Sequence, residues 1–144
     1  MAEQSARPSR QLAVVACMDA RLDPLPVLGL EVGQAHVLRN AGGVITPDVL
    51  RSLALSQRAL GTREIALVHH TDCGMAGFDD AAFRAELADE SGATPDWDVP
   101  GFADPYEDVR RSLDSVRGCP WLTSRDSVRG YVYDLARGAL NEVS

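Results

Sequence analysis

Leu12-Ala13-Val14-Val15-Ala16-Cys17-Met18-Asp19-Ala20-Arg21 decides the fold, together with a second stretch built the same way, Ile65-Ala66-Leu67-Val68-His69-His70-Thr71-Asp72-Cys73. In each, a short apolar run ends in residues that carry chemistry. Residues 12–16 and 65–68 are unbroken apolar segments of strand length, which reads as strands buried on both faces in a parallel sheet. Ligands of an open parallel sheet gather just beyond the carboxyl ends of its strands. Cys17, His70 and Cys73 stand at such ends, so they can converge although 53 positions separate Cys17 from His70.

Two thiolates and one imidazole make a zinc donor set. Three protein ligands with a fourth position left to water mark a catalytic zinc, whereas a structural zinc is usually closed by four. No fourth ligand stands at metal-motif spacing, so the reading is one catalytic zinc per chain on Cys17, His70 and Cys73. Other cysteine chemistries fit worse. A phosphatase loop needs Cys-x5-Arg, but Asp23 occupies the sixth position after Cys17, and a Cys-x-x-Cys redox pair is absent. Cys119 precedes Pro120 with no partner nearby and reads as a core filler or a weakly exposed thiol. With two of three cysteines given to metal, a reducing cytoplasm fits better than secretion.

Composition agrees with a small enzyme. A chain of 144 residues is one domain with room for a sizeable core. Residues 1–10 are polar and lack the apolar region of a signal peptide, so they read as a flexible N-terminal arm ahead of a single domain at 11–144. No apolar run is long enough for a membrane span. The net charge of −7 argues against nucleic acid as partner, because phosphate binding needs a basic face. The acids between Asp79 and Asp114 read as a solvated surface.

Along the chain, strand and helix signals alternate. Asp23-Pro24-Leu25-Pro26 opens a short helix or turn, Gly33 breaks it, and Ala35-His36-Val37-Leu38 reads as a second strand. Thr46-Pro47-Asp48 is a helix start, with a cap candidate, a proline and an acid in order. Val49, Leu50, Leu53, Ala54, Gln57 and Leu60 follow at helical spacing, and Gly61 closes the helix. Asp79-Asp80 caps a further helix with Phe83 and Leu87 predicted inward, ending near Gly92. Another helix runs over about 106–116 with Val109, Leu113 and Val116 on one face. Gly130-Tyr131-Val132-Tyr133 is a last strand before a polar tail. The whole is one α/β domain. Asn40-Ala41-Gly42-Gly43 needs unusual backbone angles or close approach. It lacks both G-x-G-x-x-G and a Walker lysine, so it reads as backbone folded against the metal pocket, tied down by Arg39 and Asn40.

Taken together, these residues resemble the β-class carbonic anhydrases, in particular the short, minimal branch of that family. Cys17-x-Asp19-x-Arg21, Arg39-Asn40-Ala41-Gly42 and His70-x-x-Cys73 match in order and spacing, as do Arg51-Ser52-Leu53, Gly61-Thr62, Gly74-Met75 and Gly130-Tyr131-Val132-Tyr133-Asp134. The match runs from Gln11 nearly to the end. It implies a mostly parallel sheet flanked by helices with an added edge strand. It also implies an obligate homodimer with sites near the interface, often a homotetramer. The chain lacks the long N-terminal helices of larger members, and its pocket lacks clear counterparts of the glutamine and aromatic groups of the plant-like branch. His69 stands where many relatives have glycine. Neighbouring strand residues face opposite ways, so His69 is expected to point away from His70 and to be a packed or surface residue rather than a proton shuttle.

The implied reaction is reversible hydration of carbon dioxide to bicarbonate and a proton by zinc-bound hydroxide. Asp19 would accept a hydrogen bond from the hydroxide and aim its lone pair, since an ionised carboxylate accepts but does not donate. Arg21 would keep Asp19 ionised and pointed, best as a bidentate pair. Were Arg21 to let go, Asp19 could swing onto zinc and close the site. Two other readings stand beside this one. Carbon disulfide or carbonyl sulfide hydrolysis would use the same site, and a non-catalytic zinc-binding subunit would not need Asp19 and Arg21.

Overall fold

The computed structural model describes residues 5–144, and among these five strands form one sheet. The strands are β1 (Leu12–Cys17), β2 (Ala35–Asn40), β3 (Glu64–His70), β4 (Val128–Asp134) and β5 (Ala139–Val143). Their order is β2-β1-β3-β4-β5, with the first four parallel and β5 antiparallel to β4. β1 and β3 therefore lie side by side, Ala16 opposite Val68. Strand order reverses at this point, because the chain leaves β1 for β2 on one side and returns to β3 on the other. The crevice at such a reversal is where α/β folds place their ligands.

β1 and the middle of β3 are unbroken apolar runs because both faces of the sheet are covered there. One face of the sheet, with Ala13, Val15, Ile65, Leu67 and Val132, packs against α2 (Pro47–Arg58) and α4 (Pro105–Arg117). Val109, Leu113 and Val116 of α4 are all buried there, as their spacing predicts. The opposite face, with Val14, Ala16, Ala66 and Val68, is covered by Leu22, Leu30 and the short helix α1 (Pro24–Val27). Thr46 caps α2 by accepting from the Val49 N–H at 3.2 Å. Gln57, buried on the inner face of α2, is satisfied by the backbone of residues 123–124, accepting from Thr123 N–H and Ser124 N–H and donating to the Ser124 carbonyl.

Two stretches differ from expectation. Residues 139–143, read as a polar tail, form β5, the antiparallel edge strand that the family resemblance implies. Asp134 makes the turn: its carboxylate accepts from the Ala136 and Arg137 N–H groups, and its carbonyl from that of Gly138. The helix α3 (Asp80–Ser91) forms where predicted, capped by Asp79 and ended by Gly92 at φ 76°, but it buries no residue. Phe83 and Leu87 are half-buried rather than inward. Phe83 packs against Phe78 of the same loop with ring centroids 5.5 Å apart, so its apolar contact is local. That loop is closed at its base, where Gly77 N–H donates to the Phe102 carbonyl at 2.7 Å and Phe102 N–H to the Met75 carbonyl at 3.3 Å.

Of the N-terminal arm, residues 1–4 lie outside the described residues. Pro8 is buried, and the Ser9 and Arg10 N–H groups donate to the carbonyls of Gly33 and Gln34 just ahead of β2. His36 explains the two buried hydroxyls near α2. Its Nε2–H donates to the Ala6 carbonyl, so its Nδ1 accepts from Ser56, which in turn accepts from Thr62.

Candidate metal centre

β1 ends on Cys17, β3 ends on His70, and the turn that follows β3 supplies Cys73. That turn is held to β4 by Thr71, whose N–H donates to the Tyr133 carbonyl at 2.9 Å and whose hydroxyl accepts from Leu135 N–H at 3.0 Å. Asp72 takes a positive φ of 55°, an angle that turns the chain sharply enough to bring Cys73 back beside His70. Arg39 ties down the β1–α1 turn rather than its own loop, donating to the carbonyls of Cys17, Asp19 and Leu22 at 2.7–3.0 Å. Asn40 closes the single 3₁₀ turn that follows it, through both its amide and its carbonyl to Val44. Gly43, at φ 64°, presses on the ligand strand, and a Cβ there would stand 2.7 Å from the Cys17 nitrogen.

This scaffold brings Cys17, His70 and Cys73 together with their donor atoms all within 4.8 Å of one another, and all three residues are buried. The two sulfurs are 3.9 Å apart. His70 Nδ1 lies 2.7 Å from the Thr71 carbonyl. A carbonyl only accepts, so Nδ1 carries the hydrogen and Nε2 presents a lone pair. Nε2 is buried with no hydrogen-bond partner, and the nearest carboxylate oxygen, on Asp19, is 3.7 Å away. A buried imidazole nitrogen facing two sulfurs is an arrangement that a soft cation satisfies, and two thiolates with one imidazole suit zinc.

Electrostatics sharpens the fit. Burial raises the Cys17 thiol, but the adjacent His70 ring and backbone N–H groups at Asp19 and Gly42 outweigh it and bring the thiol down to about 7. Burial pushes Cys73 up to about 11, and the neighbouring Cys17 adds to the rise. Without a cation the pair holds one negative charge readily and the second poorly.

Asp19 stands at the rim. Arg21 grips it with Nε on Oδ1 at 3.0 Å and Nη2 on Oδ2 at 2.8 Å, and the Arg21 N–H adds a third bond at 2.8 Å. The Arg21 side chain, then its backbone N–H, holds the Asp19 carboxyl well below the usual carboxylate range. Sequence reasoning missed the other half of this grip. Asp72 receives Arg21 Nη1 on its carboxylate at 3.0 Å and Nη2 on its carbonyl at 2.9 Å, so the guanidinium spans both chemistry-bearing turns. Its position inside the His-x-x-Cys turn was the available signal. Cys119 lies on the other side of the sheet, buried among α2, α4 and β4 residues. A cavity of about 480 Å³ at the amino-terminal ends of the strands, lined by Arg10, Leu30, Glu64, Arg129 and Tyr131 among others, holds none of the predicted site residues.

The carbonic anhydrase family's sequence model matches residues 12–111, a span that contains Cys17, Asp19, Arg21, His70, Asp72 and Cys73. The chain belongs to the β-carbonic anhydrase family. Beta-carbonic anhydrase 1 of Mycobacterium tuberculosis is 55% identical over 137 residues, covering 95% of this chain and 84% of that protein. The crystal structure of a carbonic anhydrase from Streptococcus mutans superposes with a TM-score of 0.91 at 40% identity, covering 100% of this chain and 87% of that one. A carbon disulfide hydrolase of Acidithiobacillus thiooxidans is 33% identical over 153 residues, 92% of this chain and 76% of that protein. β-Carbonic anhydrases use zinc, and Cys17, His70 and Cys73 are a group whose donor atoms could hold such an ion. Among the described residues no helix is long and apolar enough to cross a membrane.

Proposed function

We propose that this chain catalyses the reversible hydration of carbon dioxide to bicarbonate and a proton, with one zinc ion held by Cys17, His70 and Cys73. The observation that carries the reading is the unpartnered His70 Nε2 facing two sulfurs, with the Arg21-held Asp19 carboxylate 3.7 Å beyond. When bound, zinc lowers the pKa of water from 15.7 toward about 7 and so supplies a nucleophile at neutral pH. The two thiolates offset the ion's charge and weaken that effect, which leaves more for the protein to do. Asp19 accepts a hydrogen bond from the nucleophile's O–H and thereby turns a lone pair toward the carbon of the substrate. Arg21 occupies both carboxylate oxygens of Asp19, which keeps Asp19 ionised and away from the metal. Asp72 steadies Arg21 from the far side.

A second reading is supported by the relatedness to carbon disulfide hydrolase, since a linear electrophile of similar shape meets the same nucleophile. Stopped-flow assays with carbon dioxide and carbon disulfide on zinc-loaded protein separate the readings. Rapid carbon dioxide hydration is expected. Carbon disulfide hydrolysis without it moves the assignment to the hydrolase, and inactivity toward both at full zinc leaves a non-catalytic zinc-binding subunit.

The proposal extends to assembly as a homodimer or homotetramer in the cytoplasm. Family resemblance supports it, and so does the surface. Met18, next to Cys17, is 64% exposed, and among the described residues β2 is paired with a strand on one side only, with Val37 exposed. An uncovered edge of this kind is a template for another strand. Sedimentation at sub-micromolar concentration should show no 15.5 kDa species. A fully active monomer refutes the interface reading.

A further inference from the structure

His69 adjoins His70 on β3, faces the other way and is not one of the metal donors. It is 1% exposed. Its Nε2 lies 2.7 Å from Asp108 Oδ2, on α4, and Arg111 donates to the other oxygen of Asp108 at 3.2 Å. A carboxylate oxygen accepts, so Nε2 carries the hydrogen. The ring lies against Phe102 with centroids 5.2 Å apart, and Nδ1 is buried without a hydrogen-bond partner. An imidazole with one nitrogen unsatisfied is a costly way to fill a core that leucine would fill without the penalty.

What the imidazole adds is connection. Through Asp108 it fastens α4 to the end of β3, one residue from His70. Through Phe102 it backs the tie to Met75, two residues after Cys73. Met75 and Phe102 close in turn on Gly42, where a Cβ would stand 3.0 Å from Met75 Cγ and 3.3 Å from Phe102 Cε1. Gly43 then bears on Cys17. One buried ring backs the main chain that carries all three donors.

We propose that His69, held by Asp108, is a positioning residue that keeps the Cys17, His70 and Cys73 donor atoms at zinc spacing. The inference rests on the zinc reading of the same site. Its test compares His69→Leu and His69→Gln with the unaltered protein, Gln keeping an N–H that reaches toward Asp108. Zinc release to a chromophoric chelator and the visible spectrum of the cobalt-loaded protein are the readouts. Partners hydrogen-bonded to metal ligands are typically worth about 10–100-fold in metal affinity, and His69 acts one contact further out, at the low end of that range. Zinc should therefore leave His69→Leu on the order of tenfold faster, with displaced cobalt bands. His69→Gln should recover most of both properties. A His69→Leu protein with unaltered zinc release and cobalt spectrum overturns the proposal and leaves His69 a core filler. If that variant does not fold, Asp108→Ala decides by the same readouts, and unaltered values overturn it equally. Unaltered protein that binds no zinc removes the zinc reading itself.

Discussion

Asp19→Asn should slow carbon dioxide hydration by on the order of 10²–10⁴, the usual loss when a positioned proton acceptor is removed, while zinc stays bound. Zinc is retained because the donor cluster is Cys17, His70 and Cys73, with Asp19 outside it. The amide keeps the size of the carboxylate but can also donate, so it no longer selects one orientation of the nucleophile. It also weakens the grip of Arg21, which rests on two carboxylate oxygens. Arg21→Ala should do comparable damage by the opposite route. Asp19 would be released 3.7 Å from His70 Nε2, close enough to turn inward and compete for the metal. Added buffer should rescue neither variant, because orientation is lost and proton export is not. Rates equal to those of the unaltered protein in both, at matched zinc content, would reduce the pair to an ordinary ion pair.

The second large effect belongs to the metal donors. Cys73→Ser should lose most of its zinc and, with it, the activity. A serine hydroxyl stays protonated near neutral pH and offers the ion neither the charge nor the softness of a thiolate. Cys17 and His70 would remain, but two donors do not make a zinc site. Cys119→Ser is the matched control. Its sulfur lies in the α2–α4 core across the sheet, so zinc and rate should be unchanged while stability falls by about 1–3 kcal/mol for the buried hydroxyl. Elemental analysis showing a full equivalent of zinc in Cys73→Ser would overturn the ligand assignment.

Much of this architecture was legible because buried parallel strands announce themselves as continuous apolar runs. Residues 12–16 and 65–68 also fall next to the chemistry, so convergence followed from topology alone. Caps were readable for a similar reason: Thr46 and Asp79 each bond a backbone N–H within three residues, a local act that local sequence records. Long-range polar contacts leave no such trace. Nothing in the spacing of Arg39 says that it serves three carbonyls of an earlier turn, or that Arg21 reaches Asp72 across 51 positions. β5 was obscured because an edge strand shows only a weak alternation; Ala139 and Leu140 are half-buried, Asn141 and Glu142 are exposed, and only Val143 is buried. α3 misled for the converse reason. Phe83 and Leu87 sit at helical spacing, yet that pattern cannot tell a shared core from a local contact with Phe78.

Met75 and Phe102 are tied to each other, so the loop between them is closed at its base beside the metal centre. The entropy of closing a loop grows with the logarithm of its length, about 0.6 kcal/mol for each doubling. No residue of α3 is fully buried, so the core loses little area when that segment is lengthened or exchanged. The chain therefore contains a natural grafting point near Gly92. A foreign peptide or small domain spliced there is carried in solvent on a short leash from Cys73, sharing a chain with the catalyst but not a core.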